Sequence, residues 1–108
     1  MTRVERFSAE FSDDVVDGIS HYDQIAIKLG NRFRDAVQLT IADIRARPES
    51  FGYTRKPSRG AMLRKFPYVI VFRVTIVFRV TDNAIYFAGL FHVASDPSAW
   101  DQRLRENQ

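Results

Sequence analysis

Tyr68-Val69-Ile70-Val71-Phe72-Arg73-Val74-Thr75-Ile76-Val77-Phe78-Arg79-Val80-Thr81, then Asp82-Asn83, then Ala84-Ile85-Tyr86-Phe87-Ala88-Gly89-Leu90-Phe91-His92-Val93: the reading of these residues decides the fold. Both runs are rich in β-branched and aromatic residues, which suit a pleated, half-buried surface. Asp and Asn tolerate positive φ better than most residues, so Asp82-Asn83 reads as a two-residue hairpin turn. A third apolar stretch, 61–66, precedes them, and the three make an antiparallel sheet.

Upstream, the period changes from two to 3.6. Val15, Val16, Ile19, Tyr22, Ile25, Ala26 and Leu29 recur at helical spacing. Ser12 is the expected N-cap, with Asp13, Asp14 and Asp17 near the positive end of the dipole. Gly30 is the expected C-terminal stop and Asn31 the next cap. Phe33, Ala36, Val37, Thr40, Ile41 and Ile44 then form a second stripe that Pro48 ends. So short a break predicts an antiparallel helical hairpin. Val4-Glu5-Arg6-Phe7 alternates as a short strand, with Phe7, Tyr22 and Phe33 expected in the core. Residues 51–60 read as a basic connector, and Asp96-Pro97 caps a last short helix bearing Trp100 and Leu104. The class is α+β: an N-terminal strand, a helical hairpin on one face of an antiparallel sheet, and a C-terminal helix, in one domain over 1–108.

Composition excludes several chemistries. The 108 residues include no cysteine, so disulfides, thiolate zinc sites and cysteine nucleophiles are out. His21 and His92 are far apart in the sequence, His21 reads as a surface residue, and no metal site or cofactor motif is present. No apolar run reaches the roughly 18 residues of a membrane helix, and the first residues lack a signal peptide's apolar stretch; the expected compartment is the cytoplasm, with no membrane partner.

Charge is unevenly spread. Residues 52–81 carry Arg55, Lys56, Arg59, Arg64, Lys65, Arg73 and Arg79 with no acid, while both flanks are net acidic. A one-signed block attracts polyanions or an acidic protein; the same residues would also serve as solvated guards on a strand edge.

Ile70-Val71-Phe72-Arg73-Val74-Thr75 is repeated without error as residues 76–81. Six is even, so the repeat keeps every side chain on its face while moving the register by about 20 Å. Pairing of the second copy with 84–93 through Asp82-Asn83 would displace the first copy, leaving Ile70, Phe72 and Val74 uncovered. The expected outcome is a homodimer through the duplicated strand.

Leu63-Arg64-Lys65-Phe66-Pro67-Tyr68-Val69-Ile70, Phe72-Arg73-Val74, Ala88-Gly89-Leu90-Phe91-His92 and Asp96-Pro97 with Trp100 together resemble the RelE/ParE superfamily of bacterial type II toxin–antitoxin toxins. The hairpin with Tyr22, the Arg47-Pro48-Glu49 exit and the Phe51 connector extend the resemblance over nearly the whole chain; the family lacks the second Ile-Val-Phe-Arg-Val-Thr. The resemblance implies a plasmid-stabilisation type of toxin held inactive by an acidic, partly disordered cognate antitoxin. ParE-like members poison DNA gyrase by binding it. RelE-like members cut mRNA on the ribosome. A ParE-like protein needs only a surface, for which Arg55, Lys56, Arg59, Arg64, Lys65, Arg73, Arg79 and Trp100 are candidates, with Trp100 also suited to anchoring the last helix. A nuclease would use His92 as acid or base, Arg64, Lys65, Arg73 or Arg79 for phosphate charge, and Tyr68 or Tyr86 as helpers. A third expectation is a dimerising variant made non-toxic by the repeat.

Overall fold

Ser8 sets the frame of the molecule. Its hydroxyl accepts the Phe11 N–H at 2.9 Å and donates to the Ala88 carbonyl at 2.8 Å, while its own N–H reaches the Phe87 carbonyl at 3.0 Å. One buried side chain thus caps a helix and ties that cap to the sheet. The computed structural model describes residues 4–76 and 83–106. In chain order these form β1 (Val4–Phe7), α1 (Ala9–Ile25), α2 (Ile27–Ala46), a 3-10 turn (Pro48–Ser50), β2 (Tyr53–Arg55), β3 (Ser58–Met62), β4 (Tyr68–Ile76), β5 (Asn83–His92) and α3 (Pro97–Glu106). The sheet order is β1-β5-β4-β3-β2. Neighbours from β2 to β5 are antiparallel, and β1 joins the edge parallel to β5.

The α+β architecture agrees with the sequence, but several boundaries move. The first helix starts at Ala9 under Ser8, four residues before the Ser12 cap expected, because Ser8 satisfies both the helix and β5. The helices part at Ala26, whose backbone is extended (φ −165°, ψ 141°), and not at Gly30. Gly30 lies inside α2, at a position where a side chain would overlap the Asp23 carboxylate. Gly18 faces the Phe33 ring in the same way, so the two glycines let α1 and α2 approach closely. Val16 and Ile25, expected in the stripe, are about 60% and 62% exposed. Phe7 is also largely exposed, yet it stacks on Phe87 with ring centroids 4.6 Å apart. The presumed connector holds β2 and the first residues of β3.

Alternation splits the sheet into two faces. Ile70, Phe72, Ile85, Phe87 and Leu90 meet Phe11, Phe33, Val37 and Ile44 from the helical hairpin. On the other face Val69, Val71, Ala88 and Phe91 pack against Leu104 and Trp100 of α3. A bulge in β5 separates the pairs Val71↔Gly89 and Phe72↔Phe87, leaving Ala88 as the extra residue.

The repeated segment departs from expectation. The first copy is the central strand: Ile70 pairs with Leu90 and Thr75 with Ala84, and Ile70 and Phe72 are fully buried under the helices. The first copy is therefore not displaced, and the penalty that argued for dimerisation through it is absent. Asn83 belongs to β5 and pairs with Ile76, so it does not close a two-residue turn on Thr81. Most of the second copy lies outside the described residues.

Candidate partner-binding surface

A hollow runs between α2 and the β3–β4 turn. Leu29, Arg32, Asp35, Leu39 and Asp43 form one wall at helical spacing, and Met62, Arg64, Lys65 and Phe66 form the other. Its volume is about 500 Å³. Leu39 and Met62 are 62% and 57% exposed, so the floor presents apolar surface between charged rims. Lys65 sits at a φ of 66°, which turns the chain back from β3 into β4 at the rim. The Leu63 N–H donates to the Tyr68 carbonyl at 3.0 Å, closing that turn. An amphipathic segment with acidic residues beside apolar ones fits such walls.

The other basic residues are dispersed. Arg59 is a strut: it donates to the Phe51 carbonyl at 2.6 Å and to the Tyr53 hydroxyl at 2.9 Å, and it lies over the Tyr53 ring. Lys56 lies 5.1 Å from the centroid of the same ring. Arg55 pairs with Asp101 of α3 at 2.6 Å. Arg73 lies 4.7 Å over the Tyr86 ring, on the face that α3 shares. Arg79 is outside the described residues. The acid-free block of sequence is thus spread over both faces of the sheet, and the groove gathers Arg64 and Lys65 from it.

His92 ends β5 opposite Tyr68, with ring centroids 5.1 Å apart. Its Nδ1 accepts the Ala94 N–H at 3.0 Å, which puts the ring proton of the neutral form on Nε2. Tyr68 belongs to the helix-side core with Tyr22, Phe33 and Phe66; burial, and then the nearby Tyr22, push its phenol above the usual value. Arg73 lies five residues from Tyr68 along β4, roughly 17 Å away, and points to the opposite face. The structure does not bring His92 and Arg73 together. Trp100 stacks on Phe91 at 5.1 Å, and its indole N–H donates to the Ser95 hydroxyl at 2.7 Å. These contacts make it an anchor for α3. Among the described residues no cluster of three or more His, Asp or Glu side chains has metal-site geometry, and no helix is long and apolar enough to cross a membrane.

This chain is similar in structure to a chain of a solved structure described as "Chromosomal ParDE TA system from P. aeruginosa", with a TM-score of 0.60 over 85% of this chain and 97% of that one. The fold is ParE-like. Sequence identity is 15%, so the likeness is one of fold. No family model and no curated protein matches the sequence.

One constellation went unseen in the sequence. The Asp14 carboxylate accepts the Leu90 N–H at 3.0 Å and the Arg103 guanidinium, joining α1, β5 and α3. Burial raises its carboxyl above the usual value, against the lowering effects of Leu90 and Arg103. Asp14 reads in the sequence as a dipole-favourable acid near a helix start, and nothing local marks a partner 89 residues away.

Proposed function

We propose that this chain is the toxin of a type II toxin–antitoxin pair, acting in the ParE manner by binding an essential target such as DNA gyrase. Its neutralising partner is an acidic antitoxin segment seated between α2 and the β3–β4 turn. The observation that carries this reading is the groove: exposed Leu39 and Met62 on a ParE-like fold, with Arg32, Arg64 and Lys65 outnumbering Asp35 and Asp43 around them. Exposed apolar side chains with a small excess of positive charge suit an amphipathic, acidic segment that orders on binding.

The RelE-like alternative, ribosome-dependent mRNA cleavage, is less well supported. His92 and Arg73 lie on opposite faces of the sheet, so phosphate charge near His92 would have to come from Arg64 or Lys65 of the β3–β4 turn, whose Pro67 carbonyl accepts the Val93 N–H at 2.9 Å. Self-association through the repeat, and loss of toxicity with it, would rest on residues 77–82, and sedimentation across a wide concentration range tests it. The functional test is induction of the chain in cells with and without the acidic product of a neighbouring reading frame. DNA-damage response without translation arrest supports the ParE-like reading. Rapid mRNA cleavage at ribosomes replaces it with the RelE-like one.

A further inference from the structure

The C-terminal helix is held by few apolar groups. In Pro97–Glu106 only Ala99, Trp100 and Leu104 are apolar beyond the leading proline, and Leu104 is its one buried side chain among those described. Ten residues are too few for a helix to persist alone in water, so its order depends on its seat. Under it lie Val69, Val71, Ala88 and Phe91, a strip of sheet on which Leu104 and Trp100 of α3 pack beside Tyr86.

The seat has a built fastening. The β5 bulge at Ala88 shifts the ladder, and the Leu90 N–H donates to Asp14 of α1. Asp14 thereby holds its carboxylate where Arg103 of α3 can reach it. Arg103 passes over Gly89, where a Cβ would stand 3.2 Å from its Nη1, and lies over the Phe91 ring at 4.7 Å. A bulge, a glycine and a half-buried carboxylate thus converge on one guanidinium. A second ion pair of α3, Asp101 with Arg55, engages an arginine whose side chain is 75% exposed, where such pairs contribute little.

We propose that α3 is a strap that opens from the sheet as a unit, and that the Asp14–Arg103 clasp is the catch that holds it shut. Opening bares the Val69, Val71, Ala88 and Phe91 strip while the helical hairpin and its core stay intact. The strap belongs to the low-stability end of the molecule, and Asp14 is its positioning residue.

The test uses the full chain. Asp14→Asn keeps an acceptor for the Leu90 N–H and removes the charge facing Arg103; Arg103→Gln removes the same pair from the exposed side. Hydrogen exchange is followed at the amides of 97–104 and of 69–72, together with acrylamide quenching of Trp100, the single tryptophan. Both variants are expected to exchange about ten-fold faster in 97–104, with Trp100 more quenchable, while 69–72 hold their rates. Asp13→Asn, an exposed position on the same helix, is expected to change neither. Unchanged exchange in α3 overturns the clasp. An equal acceleration in 69–72 overturns the strap, since α3 would then open only with the whole fold.

Discussion

The Phe33 ring occupies the space that a side chain on Gly18 would need. Phe33 is fully buried and also meets Tyr22, Phe66 and Tyr68, so it has nowhere to retreat. Two effects then compete in Gly18→Ala. Helix propensity favours alanine by about 1 kcal/mol. Overpacking a close-packed site costs about 1–3 kcal/mol. The expected result is a net loss of stability, and Gly18→Val should lose more. Urea unfolding of both variants measures it; a stabilised Gly18→Ala would mean that the helices can part at no cost.

Ser8 offers a second stability test. Ser8→Ala removes an N-cap and leaves the Ala88 carbonyl without its hydroxyl donor. Cap loss alone is worth about 1 kcal/mol, and an unsatisfied buried acceptor adds about 1–3 kcal/mol. Ser12→Ala should fall within about 0.5 kcal/mol of the parent, as exposed substitutions usually do. Denaturant midpoints of the two variants, compared at equal slope, decide which serine is the cap.

These two residues show what was legible. Periodicity in 33–44 and alternation in 68–75 gave the hairpin, the sheet and the buried Phe33, Ile70 and Phe72, because each pattern is set by the face it buries. Ser8 and Ser12 are equivalent to a local rule, and only contact with β5 selects Ser8. Gly30 looked like a helix stop because local propensity cannot see Asp23 across the hairpin. The site was less legible for the same reason. A block of charge along the chain says nothing of strand parity, and parity sends Arg73 to the face opposite Tyr68 while the turn puts Arg64 beside α2.

The groove therefore predicts a pattern of charge reversals. Arg64→Glu and Arg32→Glu should each weaken binding of the acidic antitoxin by roughly ten-fold, the equivalent of about 1.4 kcal/mol. Arg73→Glu, on the other face, should leave the affinity within about two-fold at the same precision. Titration calorimetry at two salt concentrations reads both effects. Equal losses at all three positions would locate the partner by overall charge and remove the groove from the argument.

The carboxyls of Asp14 and Asp96, on either side of the α3 seat, are shifted in opposite directions from the usual value. Burial raises the folded value of Asp14 above 3.8, so the folded state holds that proton more tightly than the unfolded chain. The proton-linked part of its contribution is fully present below the unfolded value and is lost as pH rises through the folded one, because burial of the ionised carboxylate outweighs the opposing effects of Leu90 and Arg103. Asp96 accepts the Ser98 N–H, the main cause of its lowered carboxyl. Its contribution is present above 3.8 and is lost as pH falls through the folded value. The stability gap between the parent and Asp14→Asn should therefore widen as pH is lowered from about 6 to about 3, and that between the parent and Asp96→Asn should narrow. Thermal unfolding across this range tests both signs, and parallel curves would contradict them.

Deleting 76–81 tests the repeat itself. Thr75 pairs with Ala84, and residues 76–83 connect them. Removing the second copy leaves Asp82-Asn83 between Thr75 and Ala84, a two-residue connection with residues suited to a tight turn. Every described pair from Tyr68↔His92 to Thr75↔Ala84 is kept, as are the buried Ile70 and Phe72. Shortening the connection from eight residues to two halves its length twice, which lowers the closure cost by about 1.2 kcal/mol on the logarithmic scale. Against this stands the loss of the backbone pairing of Ile76 with Asn83 at the end of the ladder. The deletion form should fold with the same register and be at least as stable as the parent. Amide exchange and cross-strand NMR contacts between 68–75 and 84–92 read the register, and urea unfolding reads the stability. A deletion form that fails to fold, or that pairs Thr75 elsewhere, would show that the second copy supports the sheet and that the first copy cannot serve alone as its central strand.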